Sequence, residues 1–241
     1  MRELHTRYGR DNIGYLWMIG EPMFLAIMVA LIHVGKHVNY GMDIRPVPFV
    51  VIGYCFFISF SLIVNRAEGA LEGIVSLMYH RMVTILDIQL ARTLLEGAAT
   101  LMTLALLLTL AALTGLADWP VRPLQLIVAA LLMIWFSFGV SLLVCALTYE
   151  NPTAGRFVHP ITYILFPISG GFYMLEWIPD PYRSWLYWFP MTQIFEMARY
   201  GQFVAADDQY FSIFYILAAC VVLSFLGMLA IRLIRQHIHL R

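Results

Sequence analysis

The chain has 241 residues, of which 61% are hydrophobic and only 12% are charged, and its net charge is zero. A soluble domain usually has about a quarter of its residues charged, so this chain has too little charge to cover the surface of a soluble fold of its size. The balanced charge also gives no support for nucleic-acid binding. Together with a mean hydropathy of +0.77, the composition predicts a protein embedded in a membrane.

The apolar residues cluster into runs close to the roughly 20 residues that a helix needs to cross a bilayer. The chain has room for about six such runs and short loops, and for no sizeable soluble domain. Residues 1–241 are therefore expected to form one all-α membrane domain with six transmembrane helices. The predicted spans are 22–38, 46–64, 94–116, 124–147, 158–175 and 211–232.

The basic residues predict the orientation of the spans. An even number of spans places both termini on the same side. With the termini in the cytoplasm, 10 of the 15 basic residues fall on inside segments and 5 on outside segments. Because arginine and lysine are enriched in cytoplasmic loops, both termini are predicted to be cytoplasmic.

The first segment that is not a span is 4–17. It places Arg7 and Arg10 on a polar side, while Ile13 and Trp17 belong to an apolar side at helical spacing. This pattern is typical of an amphipathic helix that lies in the membrane interface. A frayed basic tail is the alternative.

The second segment is the long inside loop 65–93, which mixes charged and apolar residues. A simple connection would be shorter and more polar. Helical extensions of the two flanking spans, joined by a short helix near 80–88, would explain the composition. Apolar residues on the solvent side need a partner surface; the alternative is that the loop lies on the membrane face.

The third segment is 176–210, on the predicted outside. Its prolines divide it into pieces too short to cross a membrane, which favours a hydrophobic re-entrant hairpin near the outer leaflet. Glu196 and Arg199 are spaced to pair on a water-facing side. An ordinary aromatic belt is the alternative, and it does not exclude the hairpin. Prolines and glycines also interrupt the preceding span, which predicts a kinked or short helix there; they are Pro160, Pro167, Gly170 and Gly171.

The sequence offers no group for catalysis or metal binding. Lys36 is the only lysine and lacks the spaced glycine and the hydroxyl of a phosphate-binding P-loop. The histidines have no zinc-ligand spacing, and no acid–base pair stands at the centre of a span as in a proton-coupled carrier. The cysteines, Cys55, Cys145 and Cys220, lie inside apolar runs and are expected to pack there. The chain is therefore not expected to be an enzyme.

The stretch from Arg7 to Trp17, followed by Glu21-Pro22, resembles the opening of permease subunits of type-2 ABC exporters that move polysaccharides. Three more stretches resemble the capsular branch, and the similarity runs over essentially the whole chain. They are Tyr79-His80-Arg81 with Leu86-Asp87 and Ala91-Arg92; His159-Pro160 with Phe166-Pro167-Ile168-Ser169-Gly170; and Trp188-Phe189-Pro190-Met191 with Glu196-Met197. Members of the family carry more residues before the first stretch, so the N-terminus here is expected to be shortened.

The resemblance implies six spans, an N-terminal amphipathic interface helix, a cytoplasmic coupling helix and periplasmic re-entrant helices. It further implies a homodimer with two separate ATPase subunits, which bind the ATP and Mg that this chain does not. The cargo would be lipid-linked capsular polysaccharide, moved outward across a bacterial inner membrane. A periplasmic co-polymerase and, through it, an outer-membrane channel would continue the export. A permease for O-antigen or teichoic-acid-type glycolipids is the alternative; a scaffold protein or a membrane enzyme is disfavoured.

Four groups of candidate site residues follow from the residues and the resemblance together. Coupling to the ATPase is expected from Tyr79, His80, Arg81, Val83, Ile85, Leu86 and Asp87. The substrate entrance is expected at Arg7, Arg10 and Trp17, where arginines could meet anionic phosphate or an acidic sugar. The conduit is expected at Tyr54, Ser59, Ser61, Tyr163 and Ser169. The exit in the re-entrant hairpin is expected at Trp177, Tyr182, Trp185, Tyr187 and Trp188.

Overall fold

The computed structural model describes residues 24, 27, 28, 44–68 and 84–238. Within these residues the chain forms seven α-helices and one short 3₁₀ turn, and it forms no strand. The helices are α1 Pro46–Asn65, α2 Ile85–Leu113, α3 Pro123–Glu150, α4 Pro152–Ile168, α5 Tyr182–Tyr187, α6 Pro190–Gln202 and α7 Ile213–Ile238, and the 3₁₀ turn is Leu175–Trp177.

Proline marks the start of four of these helices. Pro46, Pro123, Pro152 and Pro190 stand in the first turns of α1, α3, α4 and α6. The first N–H groups of a helix have no partner within it, so a residue without an N–H is tolerated there, and its fixed φ suits the helix.

A capping box starts α2 instead. The hydroxyl of Thr84 accepts a hydrogen bond from the N–H of Asp87, whose carboxylate accepts one from the N–H of Thr84 at 2.9 Å. The helix therefore begins nine residues before the predicted span 94–116. The separate short helix expected near 80–88 is wrong for residues 85–88, which form the first turn of α2.

Among the described residues, four helices are long and apolar enough to cross a membrane: α1, α2, α3 and residues 213–234 of α7. The predicted first span, 22–38, lies outside the described residues except for residues 24, 27 and 28. Helix α4 has 17 residues and is about 25 Å long at 1.5 Å per residue, somewhat less than a typical hydrocarbon core. It begins and ends earlier than the predicted run 158–175: Pro152 stands in its first turn, and after Ile168 the backbone leaves the helix, with Gly170 at a φ of +91°.

Helix α3 lies at the centre of the bundle and packs against α1, α2, α6 and α7. Its closest neighbour is α7, where two glycines bring the backbones together. A Cβ on Gly139 would lie 2.9 Å from Cβ of Leu223, and one on Gly227 would lie 2.6 Å from Cβ of Leu142. Small residues at such contacts let membrane helices approach closely.

The long helices alternate in direction and so define two ends of the bundle. The inner end, predicted to be cytoplasmic, holds a cluster of Ala67, Ile85, Leu142, Cys145, Ala146, Ile231 and Ile234. At the outer end, Arg45 pairs with Asp118 at 3.0 Å, and the N–H of Arg122 donates to the carbonyl of Gly201 at 2.8 Å. These contacts fasten the α2–α3 loop to the start of α1 and to the end of α6.

Candidate functional site

Helix α6 is almost completely enclosed by the rest of the chain. All residues from Met191 to Arg199 are buried, and the helix packs mainly against α3. With 13 residues it is about 20 Å long, too short to cross a bilayer. A short buried helix at the outer end is compatible with the predicted re-entrant hairpin.

The pairing of Glu196 with Arg199 was expected on a water-facing side, and that placement is wrong. The two side chains do pair, at 3.3 Å, but their exposed fractions are 1% and 0%. The guanidinium also donates to the carbonyls of Gly170 and Tyr173. The carboxylate accepts the N–H of Leu175 at 2.9 Å. The pair faces inward because its partners are backbone groups of the chain that follows α4.

Burial shifts the pKa of both members of this pair. It raises the pKa of Glu196, because the carboxylate loses its hydration, while Arg199 and the N–H of Leu175 act in the opposite direction. It lowers the pKa of Arg199 to about 10, opposed by Glu196. Arg199 therefore stays charged at neutral pH.

The five aromatic residues expected at the exit divide into two groups. Tyr182, Trp185 and Trp188 are exposed, and Trp185 is exposed to 80%. Trp177 is half-buried, with its ring 5.3 Å from that of Phe49. Tyr187 is also half-buried and stands edge-on to Trp188 at 6.5 Å. Three of the five rings are therefore exposed on the surface of this chain.

The coupling residues lie partly outside the described residues, which exclude Tyr79, His80, Arg81 and Val83. Ile85 is buried in the inner-end cluster and Leu86 packs against that cluster half-buried. Asp87 is exposed, but its carboxylate already accepts two hydrogen bonds from Thr84, at 2.9 and 2.6 Å. These bonds lower the pKa of Asp87.

An ion pair between Arg66 and Glu96 links the same region across two helices. Arg66 ends α1, and Glu96 lies on the buried side of α2, with exposed side-chain fractions of 25% and 3%. Neither residue was among the predicted site residues. Glu96, an acid inside an apolar run, was the available signal, because charges are rarely placed in a span without a role.

The conduit residues do not share one surface in this structure. Tyr163 is exposed to 67%, whereas Ser59, Ser61 and Ser169 are buried and Tyr54 is half-buried. Ser59 faces a cavity of about 10 Å³ between α1, α2 and α3, room for about one water molecule. The hydroxyl of Ser169 donates to the carbonyl of Phe166.

Ser61 belongs to a polar seam between α1 and α4 that was not predicted. The amide of Asn65 donates to Ser61, and the hydroxyl of Thr162 donates to Asn65, both at 2.9 Å. At the inner end of the same seam, His159 lies 3.6 Å from Glu68. Hydrogen bonds of this kind hold membrane helices together.

Arg7, Arg10 and Trp17, expected at the substrate entrance, lie outside the described residues. Within the described part of the chain, no group of three or more His, Cys, Asp and Glu could hold a metal ion. What the described residues do contain is a helical membrane bundle with polar contacts at its two ends.

Residues 1–203 match the ABC-2 type transporter family. The chain is 31% identical to the capsule polysaccharide export inner-membrane protein BexB of Haemophilus influenzae over 232 residues, which cover 96% of this chain and 88% of BexB. It is 31% identical to CtrC of Neisseria meningitidis, a protein of the same description, over 95% of this chain and 86% of CtrC. It is 30% identical to the polysialic acid transport protein KpsM of Escherichia coli, over 95% and 88%. The chain belongs to the ABC-2 type transporter family.

Proposed function

We propose that this chain is the membrane permease of an ATP-driven exporter that moves lipid-linked capsular polysaccharide from the cytoplasm to the periplasm. The observation that carries the proposal is the similarity over almost the whole chain to BexB, CtrC and KpsM, whose names describe capsule polysaccharide export or polysialic acid transport. The helical bundle and its apolar outward surface fit a membrane subunit.

The proposed assembly is a homodimer of six-span subunits in a bacterial inner membrane, with both termini in the cytoplasm. Two separate ATPase subunits bind ATP and Mg and supply the driving energy. A periplasmic co-polymerase and an outer-membrane channel continue the export. The described long helices alternate in direction, and the segments on the inner side carry most of the basic residues. Both observations support this orientation.

Coupling to the ATPase is assigned to residues 79–87, of which Ile85 and Leu86 lie at the inner end. The polar contacts would come from His80 and Arg81, and Val83 and Leu86 would supply apolar contacts. Ile85 supports that contact from inside the chain, since it packs in the inner-end cluster. Asp87 holds the first turn of α2 through its hydrogen bonds with Thr84.

The cargo path runs from Arg7, Arg10 and Trp17 at the entrance to the re-entrant hairpin at the exit. Among the conduit residues, Tyr163 on α4 is exposed, and we propose that it contacts the sugar chain. At the exit, Tyr182, Trp185 and Trp188 present exposed rings. Aromatic faces suit a polymer that must slide, because they stack on sugar rings with little specificity.

The test is deletion of the gene in its own host, followed by measurement of polysaccharide at the cell surface and inside the cell. The expected result is loss of surface capsule with lipid-linked capsular polymer retained in the cytoplasm, and restoration by the parental chain. Retention of O-antigen or a teichoic-acid-type polymer instead would assign the alternative cargo. Normal surface polysaccharide of every kind would contradict an export function.

A further inference from the structure

Arg199 is the arginine that the described part of the chain buries completely. It has no exposed surface, whereas the side chains of Arg45 and Arg66 are exposed to 44% and 25%. Removing a guanidinium from water is unfavourable unless charge pairing and hydrogen bonds replace the hydration. A buried arginine on a helix that does not cross the membrane therefore calls for a role.

The contacts of Arg199 join three parts of the chain. On its own helix, α6, it pairs with Glu196. It donates hydrogen bonds to the carbonyls of Gly170 and Tyr173, in the turn that follows α4. On α1 it lies over the ring of Phe49, with its central carbon 4.2 Å from the ring centre.

The turn after α4 needs these contacts because its backbone has left the helix. Gly170 has a φ of +91°, and residues 171–174 are not helical. Carbonyls freed in this way must find donors within the protein when water is excluded. Arg199 supplies the donors for two of them, and Glu196 accepts the N–H of Leu175.

The turn is closely packed against α1. A Cβ on Gly53 of α1 would lie 2.3 Å from the carbonyl oxygen of Gly171. The Nε atom of Arg199 is buried without a hydrogen-bond partner, so the surroundings offer no second set of acceptors. Moving α6 away from the turn would therefore break several hydrogen bonds that have no replacement nearby.

We infer that Arg199 and Glu196 are positioning residues that fasten the turn after α4, residues 169–175, to α6, so that the turn and α6 move as one rigid body during transport. The inference rests on the proposed export function for its context. It assigns the moving parts: an opening at the outer end must occur around this body and not between α6 and the turn.

The experiment measures access to a cysteine placed at Thr192 in the complex with its ATPase in lipid nanodiscs. Thr192 is fully buried in the first turn of α6, and its Cγ2 would lie 3.2 Å from a Cβ on Gly170, so it reports separation of the two parts. Val204→Cys, at a site exposed to 77%, gives the rate for free access. The probe is a polar maleimide, and the chain with only its buried native cysteines gives the background.

Thr192→Cys is expected to react at least about tenfold more slowly than Val204→Cys, at the same rate in the nucleotide-free and vanadate-trapped complexes. Adding Arg199→Met is expected to raise the Thr192→Cys rate about tenfold in both states, because the turn is no longer fastened. A clear rise on vanadate trapping with Arg199 intact would make the contact a latch that opens, and would overturn the inference.

Arg183→Met is the matched control. Arg183 also donates to backbone carbonyls of this segment, those of Leu175 at 3.1 Å and Ile178 at 2.9 Å, but it stands on α5. It should leave the Thr192→Cys rate unchanged. An equal effect of both variants, or no effect of Arg199→Met, would contradict the fastening role. These rates do not require a cargo, so they stand or fall separately from the deletion experiment.

Discussion

The guanidinium of Arg66 and the carboxylate of Glu96 form an ion pair that joins the end of α1 to α2. Arg66 precedes the proposed coupling segment and Glu96 follows it. Ala67 and Ile85, which lie between Arg66 and Glu96 in the sequence, both belong to the inner-end cluster. The residues on either side of the proposed coupling segment are thus joined by an ion pair and by apolar packing. This connection would transmit a movement of that segment to α1 and α2.

The first prediction uses the unequal burial of this pair. Arg66→Met should lower the free energy of unfolding by about 3 kcal/mol, because the almost completely buried carboxylate of Glu96 loses this ion pair. Glu96→Gln should cost only about 1 kcal/mol, since Arg66 is a quarter exposed and can turn toward water. Denaturant unfolding of the purified chain in detergent measures both. Equal losses would contradict the asymmetry.

The second prediction separates docking on the ATPase from the integrity of α2. Leu86→Asp should abolish co-purification of the ATPase, because a charge replaces a half-buried apolar side chain of the coupling segment. Thr84→Ala is the control: it removes the cap of α2 at a cost of about 1 kcal/mol but keeps Leu86. Co-purification should survive in the control. If Leu86→Asp also retains the ATPase, the assignment of Leu86 to coupling is wrong.

The third prediction concerns pH. The pKa of Asp87 is lowered in the folded chain by its hydrogen bonds with Thr84. The stabilisation that the ionised Asp87 gives to the first turn of α2 is therefore fully present above the unfolded pKa of 3.8. It is lost as the pH falls through the lower pKa of the folded chain. Amide exchange protection factors for Asp87 and Ile88, whose N–H groups donate to Thr84, should fall in that acidic window. In an Asp87→Asn variant they should not depend on pH there.

The fourth prediction concerns the conduit. A cysteine at Tyr163, an exposed position on α4, should crosslink to polysaccharide that is stalled during export. A cysteine at Ser61 should not, because Ser61 is buried and holds the amide of Asn65 between α1 and α4. Both variants are compared at equal expression in the membrane. Crosslinking of Tyr163→Cys to lipid alone would reject its place in the conduit.

Two of the predicted apolar runs lie close to helices of the structure, because a long apolar run marks the body of a buried or membrane helix. The run 46–64 became Pro46–Asn65, and the run 124–147 became Pro123–Glu150. The same signal could not predict that α2 starts at Ile85, since its first turns are more polar than a span. Thr84 and Asp87 carried that information as a capping box, a local pattern independent of hydropathy.

The surroundings of Arg199 could not be predicted from its spacing. A separation of three residues shows that Glu196 and Arg199 share a helical face, but it does not show what that face touches. The carbonyls that bind Arg199 come from Gly170 and Tyr173, 29 and 26 residues earlier. Such contacts depend on how α6 folds back against the end of α4, which local periodicity does not encode.

The last prediction concerns the outer aromatic residues. Trp185 is exposed to 80% on α5, so Trp185→Ala removes little packing and should leave the stability of the chain and its assembly with the ATPase unchanged. If the ring meets the cargo or the periplasmic co-polymerase, export or binding of that partner should still fall. A substitution of Trp188 would be harder to interpret, because its ring stands edge-on to Tyr215 at 5.9 Å. Its carbonyl also accepts a hydrogen bond from the hydroxyl of Tyr215.

Trp177→Ala is the matched control for loss of an aromatic ring. Trp177 packs on Phe49 at 5.3 Å, so its removal should lower stability by about 3 kcal/mol or less, since the ring is only partly buried. Thermal unfolding in detergent and surface capsule are measured for both variants. The exit role requires that Trp185→Ala loses export with unchanged stability, whereas Trp177→Ala loses stability first. Full export by Trp185→Ala would reject the exit role and leave the ring as a membrane anchor or a spectator.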